Sequence, residues 1–193
     1  MAVARSVETL HQFLRRPEEK PALIYRDGVV TRKVAPKGVH SWLQSTLCRK
    51  FAEVVQPGRL AAVFTELRAT FAGSSTVPDI SVYLWKRVQV DARGRVVEDF
   101  TIPPDIAIEI ISPGQTLKDQ RELCQWYVDH GVGLALLVNP CNETVERFRP
   151  GAPSQRLSGD DLIGLAPILP DFALTVRELF EPLYLFGQAT TDS

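Results

Sequence analysis

Two apolar runs, IAIEII within PDIAIEIISP and VGLALLVNP further on, constrain this chain more than any other feature. Ile106, Ala107 and Ile108 follow one another without polar alternation, the pattern of a strand covered on both faces, and the second run is as apolar as the first. Between them, after a turn at Ser112-Pro113-Gly114, the spacing predicts a helix over 116–130. Strand, helix, strand in that order favours a parallel crossover within a mixed sheet. Glu109 interrupts the first run. An acid set among Ile106, Ile108, Ile110 and Ile111 is costly to bury unpaired, so it must face solvent, pair with a cation or bind a metal.

Other segments fall into place around this centre. Val39, Leu43, Leu47, Phe51 and Val54 recur at three and four residues and predict a buried amphipathic helix over 38–55, stopped by Pro57-Gly58. Asp27-Gly28, flanked by short β-branched runs, signals a hairpin. Strand-like runs cover 60–71, 80–85 and 106–111, a turn falls at 91–94, and an outer strand at 144–149 continues as a hairpin towards Gly159. A helix over 6–15, limited by Pro17, reads as a docking segment, and VRELFEPL as a short C-terminal helix. The expected fold class is therefore α/β, a mixed central β-sheet flanked by helices. The 193 residues suit one domain over 1–193, with 1–20 an N-terminal helical extension and 188–193 a frayed tail.

Composition narrows the class of protein. No uninterrupted apolar run approaches the roughly 18 residues of a membrane span, so no membrane partner is expected. The N-terminus lacks an apolar leader core, and Cys48, Cys124 and Cys141 make an odd number without C-x-x-C spacing; they read as core residues of a cytoplasmic protein. Lys and Arg number 22 against 23 acids, a net charge of -1, so the overall positive charge of a nucleic-acid-coating protein is missing. Arg32, Lys33 and Lys37, and separately Lys86 and Arg87, remain as local phosphate contacts. No phosphate-cradling G-x-x-x-x-G-K-[ST] loop, G-x-G-x-x-G or G-x-S-x-G elbow occurs.

Asp79 follows Pro78 and enters the run Ile80, Val82, Leu84. It reads either as a turn-capping residue or, if its strand neighbours that of Glu109, as one of two carboxylates converging on a divalent metal. Glu66, in FTELRATF, is either a third carboxylate or a plain strand-face acid. His40, at the start of the long helix, reads more readily as a helix-entry or core residue than as a group approaching a phosphate or a metal, because no second His stands at ligand spacing.

The order PDISVYLW, PPDIAIEIISP, a helix with Tyr127 before His130-Gly131, then LALLVNP resembles the Uma-type family of the PD-(D/E)XK nuclease superfamily. IYRDGVV and the helix containing His40 extend the resemblance over roughly residues 20–180. It implies a restriction-endonuclease-like core, with Asp79 and Glu109 as ligands of Mg, Mn serving as a substitute. It also implies a lysine two residues beyond the acid or four before the tyrosine, and a glutamate four before the early glycine. Those positions hold Ile111, Leu123 and Ile24. Lys118, at the start of the same helix, is the nearest replacement cation, against the plainer reading of a solvated surface lysine. Asp119 and Arg121 read as a surface pair.

The leading expectation is a Mg-dependent endonuclease hydrolysing DNA, with Asp79, Glu109 and Lys118 as catalytic residues and Glu66 and His40 as additional candidates. The alternative is a catalytically degenerate member of the fold that binds a protein or nucleic acid partner, as Ile24 and Leu123 suggest. A glycosidase using the two acids ranks last. A homodimer is expected from Trp85, Trp126 and the apolar PLYLF segment.

Overall fold

The structure, a computed structural model, describes residues 8–185. Asp27 and Gly28 both adopt positive φ, 50° and 79°, as a two-residue hairpin turn requires, and they fold Leu23–Arg26 (β1) onto Val29–Arg32 (β2). Ala61–Thr65 (β3), Ala69–Phe71 (β4), Ser74–Thr76 (β5), Ile80–Leu84 (β6) and Ile106–Ile110 (β7) follow, and Leu134–Asn139 (β8), Thr144–Arg149 (β9) and Ala152–Ser158 (β10) complete the strands. The helices are Leu10–Leu14 (α1), Gly38–Val55 (α2), Leu117–Asp129 (α3) and Val176–Phe180 (α4).

Two sheets result, ordered β2-β1-β5-β4 and β10-β9-β8-β7-β6-β3. In the larger one β7 and β8 are parallel, joined through α3 as the apolar runs predict, and the other pairs are antiparallel. Strand alternation sorts β7 between two cores. Ile106, Ile108 and Ile110 join Leu43, Leu47 and Phe51 of α2, whereas Ala107 and Ile111 join Leu123, Cys124 and Tyr127 of α3. Glu109 has the parity of the α3 face. The hairpin carries a small cluster of its own, Phe13 of α1 with Leu23 and Tyr25.

The helix expected over 38–55 has those bounds, and that over 116–130 runs from Leu117 to Asp129 with the Thr116 hydroxyl accepting from the Asp119 amide. The strand expected over 60–71 does not stay whole. Glu66 takes a φ of 52°, which turns the chain out of extended geometry, so β3 ends at Thr65 and β4 crosses to the smaller sheet. The short polar strand SST (β5), which receives it, carries no apolar pattern to announce it. The first helix begins at Leu10, behind a Thr9 capping box, and not at Ser6; Ser6 itself and the tail 188–193 lie outside the described residues. Trp126 does not belong to an exposed association face, because it is buried against Phe71 and stacked on His130; Trp85 is exposed. Cys124 is a core residue as expected, whereas Cys48 is half-buried and Cys141 exposed. No described helix is long and apolar enough to cross a membrane.

Phe51 holds α2 to the C-terminal segment, its ring stacked on Phe172 with centroids 4.5 Å apart. Phe51→Ala should therefore cost about 3–5 kcal/mol. Urea denaturation checks this: the midpoint falls while the slope stays that of the parent.

Candidate metal centre

The antiparallel register of three neighbouring strands sets three acids in a row. Thr65 of β3 pairs with Ile80 of β6, and Ile80 pairs with Ile108 of β7. One residue further along, Glu66, Asp79 and Glu109 stand abreast. The Glu66 amide donates to the Asp79 carbonyl at 3.2 Å, and the Ile110 amide donates to Asp79 Oδ2 at 2.7 Å. The positive φ that ends β3 thus falls on the residue that brings the third carboxylate into line.

The first two turns of α2 face this row. His40 Nδ1 lies 2.8 Å from the Ser112 hydroxyl, which fixes the ring. Its Nε2 is buried, has no hydrogen-bond partner, and sits 3.5 Å from Asp79 Oδ2. One turn on, Gln44 Nε2 donates to the Asp79 carbonyl at 2.7 Å. His40, Glu66 and Asp79 each offer one ligand atom, all within 4.8 Å of one another. Glu109 is not one of that trio; its carboxyl accepts from the Tyr127 hydroxyl at 2.7 Å.

A cation is already present among the acids. Lys33, just beyond β2, sends its ammonium to Asp79 Oδ1 at 2.5 Å, to the Val77 carbonyl at 2.8 Å and to Glu66 Oε1 at 3.4 Å. Its side chain is only 9% exposed. Burial alone would strip its proton, but the surrounding carboxyls of Glu109, Asp79 and Glu66 outweigh burial and hold its pKa above the usual lysine value. Burial would likewise push the Asp79 carboxyl up; the His40 imidazole and the Lys33 ammonium prevail and hold it below the ordinary carboxylate range. For Glu109 burial wins. Together with the neighbouring Asp79 charge it pushes the carboxyl up to about 8, against the pull of Lys33 and Tyr127.

A groove of about 470 Å³ opens between the hairpin and the start of α3, lined by Ile24, Arg26, Lys33, Glu109, Gln115 and Leu123 among others. Leu123 and Ile24 are therefore apolar walls of the groove, and Ile111 is packed in the α3 core. Lys118 is not brought to the acids: its side chain is 84% exposed, its ammonium pairs with Glu122 at 3.7 Å, and it borders a separate hollow with Phe148 and Ser154. Arg121 pairs with Glu146 at 2.8 Å and not with Asp119. Of the basic residues marked for phosphate, Arg32 is engaged by Glu19 and Arg87 by Asp105, Lys33 is turned inward, and Lys37 and Lys86 are exposed. Gln44 and the inward role of Lys33 escaped the sequence reading, since the Lys33–Asp79 contact joins positions 46 apart and no local spacing encodes it.

Two carboxylates with a buried imidazole nitrogen that has no hydrogen-bond partner form a donor set that suits a divalent ion, the carboxylates favouring Mg or Mn and the imidazole the transition metals.

A model of the Uma2 family, described as "Putative restriction endonuclease", matches residues 10–177. Among solved structures, the chain is similar to the crystal structure of a putative nuclease belonging to DUF820 from Anabaena variabilis. The two are 35% identical with a TM-score of 0.87, over 90% of this chain and 98% of that one. A cryoEM structure of a DrdV–DNA complex matches at 11% identity with a TM-score of 0.34, over 76% of this chain and 14% of that one. No curated protein matches. The mixed sheet flanked by helices is that of the nuclease relative.

The raised Glu109 carboxyl has a consequence for stability. Without metal the folded chain keeps this proton up to about 8, whereas the unfolded chain releases it near the ordinary value of 4.5. The folded state then binds more protons, so stability declines as pH rises through that window. The melting temperature of metal-free protein should fall between those pH values, and Glu109→Gln should flatten the profile. A profile unchanged by the substitution would contradict the assignment.

Proposed function

The chain belongs to the Uma2 family, described as "Putative restriction endonuclease", and from that premise we propose that it is a divalent-metal-dependent endonuclease that hydrolyses phosphodiester bonds in DNA. The observation that carries this reading is the buried Nε2 of His40, without a hydrogen-bond partner and 3.5 Å from Asp79 Oδ2, clustered with Glu66, while Lys33 and Glu109 line the adjoining open groove. Mg is the working ion and Mn its substitute.

The residues divide the work by position. Asp79 and Glu66, with His40, would hold the ion, and Glu109, which keeps its proton near neutrality without metal, stands beside them in the row. An ion bound there polarises the phosphate and lowers the pKa of the attacking water. Ser112 fixes the His40 ring, Gln44 fixes the loop that presents Asp79, and Tyr127 orients the Glu109 carboxyl. The backbone of the nucleic acid lies in the groove between the hairpin and α3.

A second reading, a degenerate member of the fold that binds a partner, draws on the apolar Ile24 and Leu123 in the groove wall. Plasmid cleavage separates the two. The endonuclease reading expects nicking in Mg or Mn that EDTA abolishes and that Asp79→Asn and Glu109→Gln each reduce by about 10²-fold or more. A parent that cuts in neither metal, or cuts equally well in EDTA, would overturn it.

A further inference from the structure

Asp79 and Glu66 are claimed twice. Their oxygens, with His40 Nε2, make the cation cluster, yet Asp79 Oδ1 and Glu66 Oε1 are already engaged by Lys33 at 2.5 and 3.4 Å. The His40 Nε2, by contrast, has no hydrogen-bond partner and lies 3.5 Å from Asp79 Oδ2, the oxygen that Lys33 does not engage. The ammonium thus engages the carboxylate half of the cluster, while the imidazole meets Asp79 through the other oxygen. A monovalent ammonium and a divalent ion drawn to the same two carboxylates repel one another, so each weakens the other's hold.

Geometry also gives the ammonium somewhere to go. Lys33 stands where the hairpin meets the groove, its backbone pinned by its amide donating to the Ala22 carbonyl at 2.9 Å, so that only the four-carbon stem need swing. Leu123, which α3 contributes to the groove lining, offers no cation, and the other basic residues of the lining, Arg26 and Arg32, belong to the hairpin as Lys33 does. Lys118, the other lysine near α3, points to a different hollow.

We propose that the Lys33 ammonium is an internal occupant of the metal site, holding Asp79 and Glu66 until a divalent ion displaces it, and that the displaced ammonium then contacts the scissile phosphate from the hairpin side of the groove. The second half rests on the endonuclease reading; the first half does not. Lys33 is accordingly both a brake on metal entry and a catalytic residue, and the two roles move in opposite directions when it is removed.

The experiment titrates Mn into metal-free parent, Lys33→Met and Lys33→Gln by calorimetry, records melting curves with and without Mn, and measures plasmid nicking. A site that the ammonium occupies for nine-tenths of the time binds an ion about tenfold more weakly than the bare site. Both variants should therefore bind Mn about tenfold more tightly or better. Without Mn they should melt below the parent, because Asp79 loses its buried counter-charge, and Mn should restore more melting temperature to them than to the parent. Nicking should fall by about 10²-fold or more despite the tighter metal. Lys33→Gln keeps a donor for the Val77 carbonyl and so guards against simple unfolding of Lys33→Met. Unchanged or weaker Mn affinity in the folded variant overturns the occupant role, and undiminished nicking overturns the catalytic role. A parent that binds Mn but never nicks defeats the endonuclease reading alone, and the difference in Mn affinity still decides the occupant role.

Discussion

Asp79 Oδ2 accepts the Ile110 amide while Oδ1 takes the Lys33 ammonium, so one side chain, 2% exposed, ties the edge hairpin to the middle of the large sheet. The cost of burying a carboxylate is offset by a backbone donor, an ammonium and a nearby imidazole. Each partner comes from a different element, β7, the end of β2 and α2. The position of those elements relative to one another is thus specified electrostatically as well as by packing.

The apolar sheet makes that arrangement rigid. Ile80, Ile106, Ile108 and Ile110 pack under α2 and carry no polar atoms that compete for the acids, while Tyr127 reaches from α3 to satisfy Glu109. Asp79 and Glu109 are both deeply buried, yet their environments drive them apart: the first is held ionised and the second is held protonated near neutrality. Pairs of acids separated in this way are the pattern expected where one group must bind charge and a neighbour must adjust to it.

Much of this was legible in the sequence. The parallel crossover follows from two runs without alternation, α2 from its three-and-four spacing, and the hairpin from Asp27-Gly28. Asp79 and Glu109 stand out because an acid beside or inside an apolar strand demands a partner. What the sequence withheld was long-range. Glu66 was ambiguous because its value depends on a positive φ that no propensity announces. His40 looked like a core residue because its partner, Ser112, is 72 positions away. Lys118 was attractive only by proximity along the chain, and a helix turns its residues through all directions, so nearness in number gave no facing. Lys33 was read with Arg32 and Lys37 as a local phosphate contact because the hairpin's own alternation is weak, with β2 largely exposed.

The acids and the cation that neutralises them come from different sheets: Glu66, Asp79 and Glu109 align through β3, β6 and β7, whereas Lys33 arrives with β1 and β2. A chain still emerging from the ribosome makes the hairpin first and the acid row only after β7 exists, and the two must then dock across 46 positions of sequence. Until they do, the acids lack a counter-charge and the groove lacks one of its walls. A partly folded molecule is therefore unable to assemble the complete site, which confines its chemistry to chains that have finished folding.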